Sequence, residues 1–298
     1  MKISAEVPVK VGVLVINQNN KRDVAGLLKS LESVLWEEME VLLMDNNCSP
    51  SQKSKQLVDK SRLSIRREVV AETLSESAAY NMLIDKAMLA GCDWVWLVDS
   101  RYRVLAEAVK VLSQGLADNQ VGLVGGGVKT SRGMEAGGGG VGWASFRLFD
   151  RYDETEVGGW WQPVDWVRIE NLLVRAKAIE KVGRFTTNFF HGYEDMDWGI
   201  RIKASRWKGK VWTKPLVRET SKLKLTPLRA YCWGRNPWLI IARHFGGGAK
   251  VGRYLGYTLI NVPVNWLGLM RLDRGRELAQ AYLTGVVDGW RLVSGGKG

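Results

Sequence analysis

The sequence predicts an α/β protein: a mainly parallel sheet with helices on both faces, followed by a helical extension at the C-terminal end. Over the first 125 residues, short apolar, β-branched runs alternate with segments whose apolar residues recur at helical spacing. From residue 226 to 290 the helical spacing continues with no strand-like run between. A chain of 298 residues that is 46% apolar can bury a sizeable core, which excludes disorder as its main state.

Taken in order, Val9–Ile16 reads as a strand, Val24–Leu35 as a helix and Glu40–Met44 as a strand. Ser75–Leu89 is the next helix, Trp94–Val98 a strand, Val104–Leu116 a helix and Val121–Val124 a strand. Gly125–Gly127 and Gly137–Gly140 bracket a polar stretch, so residues 125–142 read as a mobile loop or an irregular hairpin. Short apolar and aromatic runs follow at Trp160–Val174 and Val182–Phe190, then a helix at Glu194–Arg206. The expected division is a domain over residues 1–225, with halves 1–125 and 126–225, and an extension over 226–298. Pro263, Asn261 and Asn265 argue against a bilayer span in the apolar Tyr254–Met270 segment, which could instead lie at an interface.

Several chemistries are excluded by what the chain lacks. Cys48, Cys92 and Cys232 are far apart and show neither zinc-ligand nor disulfide-framework spacing, and His191 and His244 are the only histidines, so a divalent ion would rest on carboxylates. GLVGGGVKT at Gly122–Thr130 approaches a phosphate loop, but Val128 separates glycine from lysine. No glycine fingerprint for a dinucleotide follows the first strand. The N-terminal apolar run is too short for a signal peptide core or a membrane span, and cytoplasmic residence is the expectation.

The net charge of +12 is unevenly spread: residues 201–298 hold 19 basic and 4 acidic side chains, leaving 24 basic and 27 acidic for residues 1–200. A field concentrated in the last third suits a polyanionic partner, either nucleic acid or an anionic membrane surface. Between Arg201 and Arg229, ten basic residues stand against Glu219 alone, with Trp207 and Trp212 interleaved.

In a parallel sheet, ligands bind beyond the carboxyl ends of the strands. Carboxylates stand at such places: Asp45 in VLLMDNNCS, Asp99 in WVWLVDSRYRV, and Glu194, Asp195 and Asp197 in FFHGYEDMDWGIR. Each alone is an ordinary strand end or helix start. Together and in this order the segments resemble the family 2 glycosyltransferases, which have a GT-A fold, and YCWGRNPWLIIARHF with the terminal GVVDGW resembles the helical tail of their rhamnosyl- and galactofuranosyltransferase-like branch. The resemblance spans about residues 9–290.

The resemblance implies an inverting transfer from a nucleoside-diphosphate sugar to an acceptor hydroxyl; with the basic last third set against an anionic membrane, a cell-envelope or lipid-linked glycan is the expected acceptor and the inner face of the membrane an expected place. It implies Asn19, Asp45, Asn81 and Asp99 at the donor, Asp195 as catalytic base beside Glu194, and Asp197 and Arg201 on the acceptor side. Trp160, Trp161 and Trp198 are added as flat surfaces for sugar rings. The family's D-x-D motif holds Mg2+ or Mn2+, but its second aspartate is Arg101 here, and no histidine follows Pro215. Asp99 would be the one ligand left, and Arg101 the cation standing in for the ion. Two other functions fit the residues: a glycosyltransferase whose acceptor is a nucleic acid gripped by residues 201–229, and a catalytically silent binding protein on the same fold.

Overall fold

Strand β1 (Lys10–Asn17), helix α1 (Lys21–Glu32) and strand β2 (Glu38–Asn46) form the first crossover unit of a computed structural model that describes residues 9–295 except 35, 37, 142–158 and 223. Then come α2 (Lys55–Val58), β3 (Ile65–Val70), α3 (Glu76–Leu89), β4 (Trp94–Val98), β5 (Tyr102–Val104), α4 (Ala108–Leu116) and β6 (Val121–Thr130). The middle of the chain holds β7 (Gly133–Glu135), β8 (Gly138–Gly139), β9 (Trp161–Val164), β10 (Trp166–Val167), β11 (Asn171–Arg175), α5 (Ala176–Val182), α6 (Glu194–Ala204) and β12 (Lys208–Glu219). Four helices close it: α7 (Pro227–His244), α8 (Gly247–Gly256), α9 (Val262–Met270) and α10 (Gly275–Ser294), with a π-helical turn, Tyr257–Asn261, joining α8 to α9.

The main sheet runs β3-β2-β1-β4-β11-β6-β12-β5. Its first four strands are parallel, as are β6 and β12, while β11 runs against both its neighbours. Side chains alternate between two buried faces, as strand geometry requires. Val11, Val13 and Val15 pack with Val24, Leu27 and Leu31 of α1 and Leu112 of α4, and Leu14, Leu42 and Leu97 pack with Leu83 and Ile84 of α3 and Trp198 of α6.

Of the two expectations for residues 125–142 the hairpin forms: β6 turns back into the antiparallel β7 through the pairs Val128–Glu135 and Thr130–Gly133, and Gly125–Gly127 lie buried inside β6. An added Cβ at Gly125 would come within 2.8 Å of the Asn171 carbonyl oxygen and one at Gly137 within 2.1 Å of the Gly126 carbonyl oxygen. The glycines let backbones cross closely; residue 142, the far end of the expected loop, lies outside the described residues. Val104 belongs to β5, where it pairs with Val217, and the helix begins at Ala108. The basic stretch after α6 forms the 12-residue strand β12, whose register shifts around Pro215, a residue unable to donate to the ladder.

The C-terminal helices are anchored to the sheet half by polar contacts. Asn236 Nδ2 donates to the carbonyl oxygens of His191 (3.0 Å) and Gly192 (2.8 Å), and Arg235 donates to that of Asn188 (2.7 Å). Among the described residues, no helix is long and apolar enough to cross a membrane.

Candidate active site

Two adjoining cavities open at the carboxyl ends of β1 and β4. The smaller, about 210 Å³, is lined by Gln18, Asn20, Asn46, Tyr80, Asp99 and Ser100. The larger, about 450 Å³, is lined by Trp166, Arg168, Glu170, Glu194 and Asp195, and by Trp233, Tyr257, Asn261 and Asn265 from the C-terminal helices. Glu76, Arg101 and Arg229 line both and mark their junction.

Local backbone geometry aims the acidic pair. Tyr193, just before α6, has φ 74°, a left-handed conformation that costs a non-glycine residue about 1–3 kcal/mol and brings Glu194 and Asp195 to the cavity wall. Asp195 Oδ2 accepts from the Ile169 backbone N–H (3.2 Å) and Oδ1 from that of Met196 (2.8 Å), which fixes the carboxylate. Burial, reinforced by the negative Glu170, raises the Asp195 carboxyl to about 7. Glu194 is pushed well above the carboxylate range by its own burial, with Glu76 and Asp195 adding repulsion. Burial would also raise Glu170, but the Arg168 guanidinium 3.0 Å away outweighs it and holds that carboxyl at about 2. Two buried polar atoms of residues lining the larger cavity, Glu194 Oε2 and Trp166 Nε1, have no hydrogen-bond partner among the described residues, an arrangement that a hydroxyl-rich ligand would satisfy.

Charge at the junction is distributed unequally between its two arginines. Arg101 forks onto Asp99, with Nε 2.9 Å from Oδ1 and Nη2 2.5 Å from Oδ2, so each neutralises the other. Burial favours the neutral form of both, and the pairing outweighs it for Arg101, whose pKa is raised, but only partly offsets it for Asp99. Arg229, in the first turn of α7, is half-buried, and its guanidinium makes no hydrogen bond or ion pair with a described residue. It is the positive charge at the junction still available to a ligand.

The other residues expected at the site lie elsewhere or are occupied. Asp45 is fully buried beneath the smaller cavity, its carboxylate accepting from Asn17 Nδ2 (2.6 Å), the Ser54 N–H (3.1 Å) and Arg67 Nη2 (2.6 Å). Asp99 and Asp195 therefore converge on the cleft, and Asp45 supports its floor. Asn19, in a left-handed turn, accepts from the Ser49 N–H, and its neighbours Gln18 and Asn20 line the cavity instead. Asn81 donates to and accepts from the Phe185 backbone (3.0 and 2.9 Å), a structural pairing that leaves its amide no reach to a donor.

Trp198 is 0% exposed, donates to the Gly183 carbonyl oxygen and packs on Phe185 with ring centroids 4.2 Å apart, so it belongs to the core and not to an acceptor surface. Trp161 packs edge-on against Trp212 toward α4, and neither it nor the half-exposed Trp160 lines the cleft; Trp166 and Trp233 do. Within residues 201–229, Arg201 is bound to Asp197, Lys203 pairs with Asp165 and Lys210 lies over the Trp161 ring.

Asp197 and Arg201 form a clamp away from the cavity. Asp197, 0% exposed, is paired with Arg201 (3.0 Å), Thr186 (3.0 Å) and, at the end of α7, His244 (2.7 Å) and Arg243 (3.3 Å). Burial would raise its pKa, but the His244 hydrogen bond and the arginines outweigh burial and lower it. Its stabilisation is thus present above the unfolded carboxylate range and lost as the pH falls through the lowered folded-state pKa. Replacing Asp197 with alanine removes the shared buried acceptor of Arg201, Thr186 and His244 and is expected to cost about 3–5 kcal/mol in denaturant unfolding.

Arg168 and Glu170 were missed because β11 runs antiparallel: its amino end, not its carboxyl end, reaches the cleft, as the Asp99 N–H bond to the Glu170 carbonyl oxygen shows (3.3 Å). The fourfold spacing of Tyr257, Asn261 and Asn265 was visible in the sequence as a polar stripe on an apolar helix. Among the described residues, no group of three or more His, Cys, Asp or Glu side chains could hold a metal ion, and Asp99 already has both oxygens on Arg101. The donor set does not fit a divalent ion.

No family model and no curated protein sequence matches the chain. Solved structures do. Residues 1–349 of TarS from S. aureus match with TM-score 0.57 at 16% identity, covering 96% of this chain and 90% of that one. The same fragment in complex with UDP-GlcNAc matches with TM-score 0.53 at 14% identity, over 96% and 91% of the two chains. The mannosyltransferase PcManGT from Pyrobaculum calidifontis, in complex with GDP-Man and Mn2+, matches with TM-score 0.60 at 13% identity, over 96% and 88%. This chain has the GT-A-like fold that these proteins share.

Proposed function

We propose that the protein is a glycosyltransferase that moves a sugar from a nucleoside-diphosphate sugar to an acceptor hydroxyl, with inversion and without a metal ion. The observation that carries this reading is the joined pair of cavities. A carboxyl poised near neutrality and two buried polar atoms with no partner among the described residues belong to residues lining the larger, and a guanidinium likewise unpaired stands at the junction with the smaller. The folds it shares with UDP-GlcNAc- and GDP-Man-bound proteins support the same class of donor.

In this reading the nucleoside occupies the smaller cavity and the diphosphate lies at the junction against Arg229, whose guanidinium takes the charge that develops on the leaving group, with Arg101 held beside it on Asp99. The acceptor hydroxyl approaches from the larger cavity. Asp195 removes its proton as the oxygen attacks the anomeric carbon from the face opposite the diphosphate, so one bond forms as the other breaks and the anomeric configuration inverts. A base with a pKa near 7 combines a populated deprotonated form with adequate basicity, which Asp195 offers and the strongly acidic Glu170 does not. Glu194, whose buried Oε2 has no hydrogen-bond partner among the described residues, meets a sugar hydroxyl. The proposed acceptor is a cell-envelope or lipid-linked glycan.

A thermal-shift screen of nucleoside-diphosphate sugars in EDTA tests the reading. At least one is expected to raise the midpoint, by about 2.7 kcal/mol of stabilisation at one hundred times its Kd. No shift with any of them, with and without added Mn2+, would leave a silent scaffold as the better account.

A further inference from the structure

We infer that the outer face of α8, the π-helical turn and α9 docks on an anionic lipid bilayer. Large apolar side chains exposed in this structure concentrate on the C-terminal helices. Val251, Leu255, Leu259, Ile260, Val264 and Leu267 lie on one stretch of chain, with Leu259 71% and Val264 63% exposed. The opposite side of that stretch is polar and faces inward, where Tyr257, Asn261 and Asn265 line the larger cavity. One side of the segment thus serves the cleft and the other is apolar and uncovered, the pattern of a helix lying in the plane of a membrane interface.

Charge selects the occupant. On the stretch from Gly247 to Leu272 there is no aspartate or glutamate, and Lys250 and the exposed Arg271 flank the apolar side chains. A second copy packing symmetrically would set this positive field against itself, and a nucleic acid would leave the protruding leucines and valines in water. An anionic bilayer satisfies both features: acyl chains take the apolar side chains and headgroup phosphates take the cations, each worth about fivefold in affinity near such a surface. Beside this face, α9 and α10 enclose an open groove of about 550 Å³ that Trp266, Met270, Leu283 and Val287 line together with Arg276 and with Arg291 paired to Asp288 (3.6 Å), an apolar slot of a size for a lipid tail. Docked this way, the mouth formed by Asn261 and Asn265 would stand at the bilayer surface, where a lipid-linked acceptor presents its sugar. That last consequence rests on the proposed transferase reading; the docking itself does not.

Flotation of the full chain with mixed phosphatidylcholine–phosphatidylglycerol vesicles, compared with phosphatidylcholine alone, tests the proposal. Binding is expected to the anionic vesicles and to fall steeply with salt. The double variant Leu259→Asp, Val264→Asp, altered only at exposed positions, is expected to bind at least about tenfold more weakly while keeping its unfolding midpoint and its affinity for nucleoside diphosphates. Equal binding by the variant, or no binding by the unmodified protein to anionic vesicles, would overturn the proposal. So would dimerisation in sedimentation velocity that the double variant abolishes, since the face would then be a contact between copies. Loss of nucleotide binding with vesicle binding intact would instead refute the transferase reading and leave the docking in place.

Discussion

Asp195→Asn is expected to lower kcat by about 10²–10⁴-fold, the usual contribution of a general base, while donor affinity stays near that of the unmodified protein. The split follows from position: Asp195 lines the larger cavity and is absent from the walls of the smaller one. The pH profile follows from burial and from Glu170, which hold the Asp195 carboxyl at about 7. The base acts deprotonated, so kcat/KM should rise about tenfold per pH unit below that value and level off above it. Glu170→Gln removes the neighbouring negative charge, lowers the Asp195 pKa and should move the rising limb to lower pH. A profile indifferent to Glu170, or full activity in Asp195→Asn, would assign the base elsewhere.

Arg229→Ala is expected to weaken nucleoside-diphosphate binding by about 10–100-fold, the worth of a hydrogen-bonded charge of this kind, read by titration calorimetry. Arg229 is the better probe of the diphosphate site because its guanidinium has no partner among the described residues to orphan. Arg101→Ala would strand the partly buried Asp99 and cost stability whether or not Arg101 touches a ligand. Arg229→Lys keeps a charge but loses the planar fork, and is expected to recover only part of the affinity. Unaltered binding in Arg229→Ala would move the diphosphate away from the junction.

The parallel half of the sheet was legible because β1, β2 and β4 are buried on both faces and carry unbroken apolar runs. β3 and β12 were hidden for the opposite reason: IRREVV and KGKVWTKPLVRE carry charges at half-exposed positions and resemble solvated surface. At the site, Asp99 and Arg101 stand at chain positions that parallel-sheet reasoning reads directly, and Glu194 and Asp195 are marked by a helix start and the family resemblance. Arg168 and Glu170 escaped it because β11 is reversed, and Arg229 because it comes from a helix that only tertiary packing brings to the sheet. Asp45, Asn81, Asp197, Trp198 and Arg201 show the converse: polar and aromatic residues in motif positions whose hydrogen bonds and packing are spent within the protein. Sequence gives residue types at intervals, but whether a carboxylate has a free oxygen depends on what packs over it.

The most direct measurement is calorimetric titration of the full chain with UDP and GDP, each in EDTA and again with Mn2+. The account predicts binding of at least one of them in EDTA, with an affinity that added Mn2+ leaves unchanged, because Asp99 is already paired with Arg101 and the diphosphate meets the Arg229 guanidinium. Binding that appears only with Mn2+, or no binding under either condition, would contradict it.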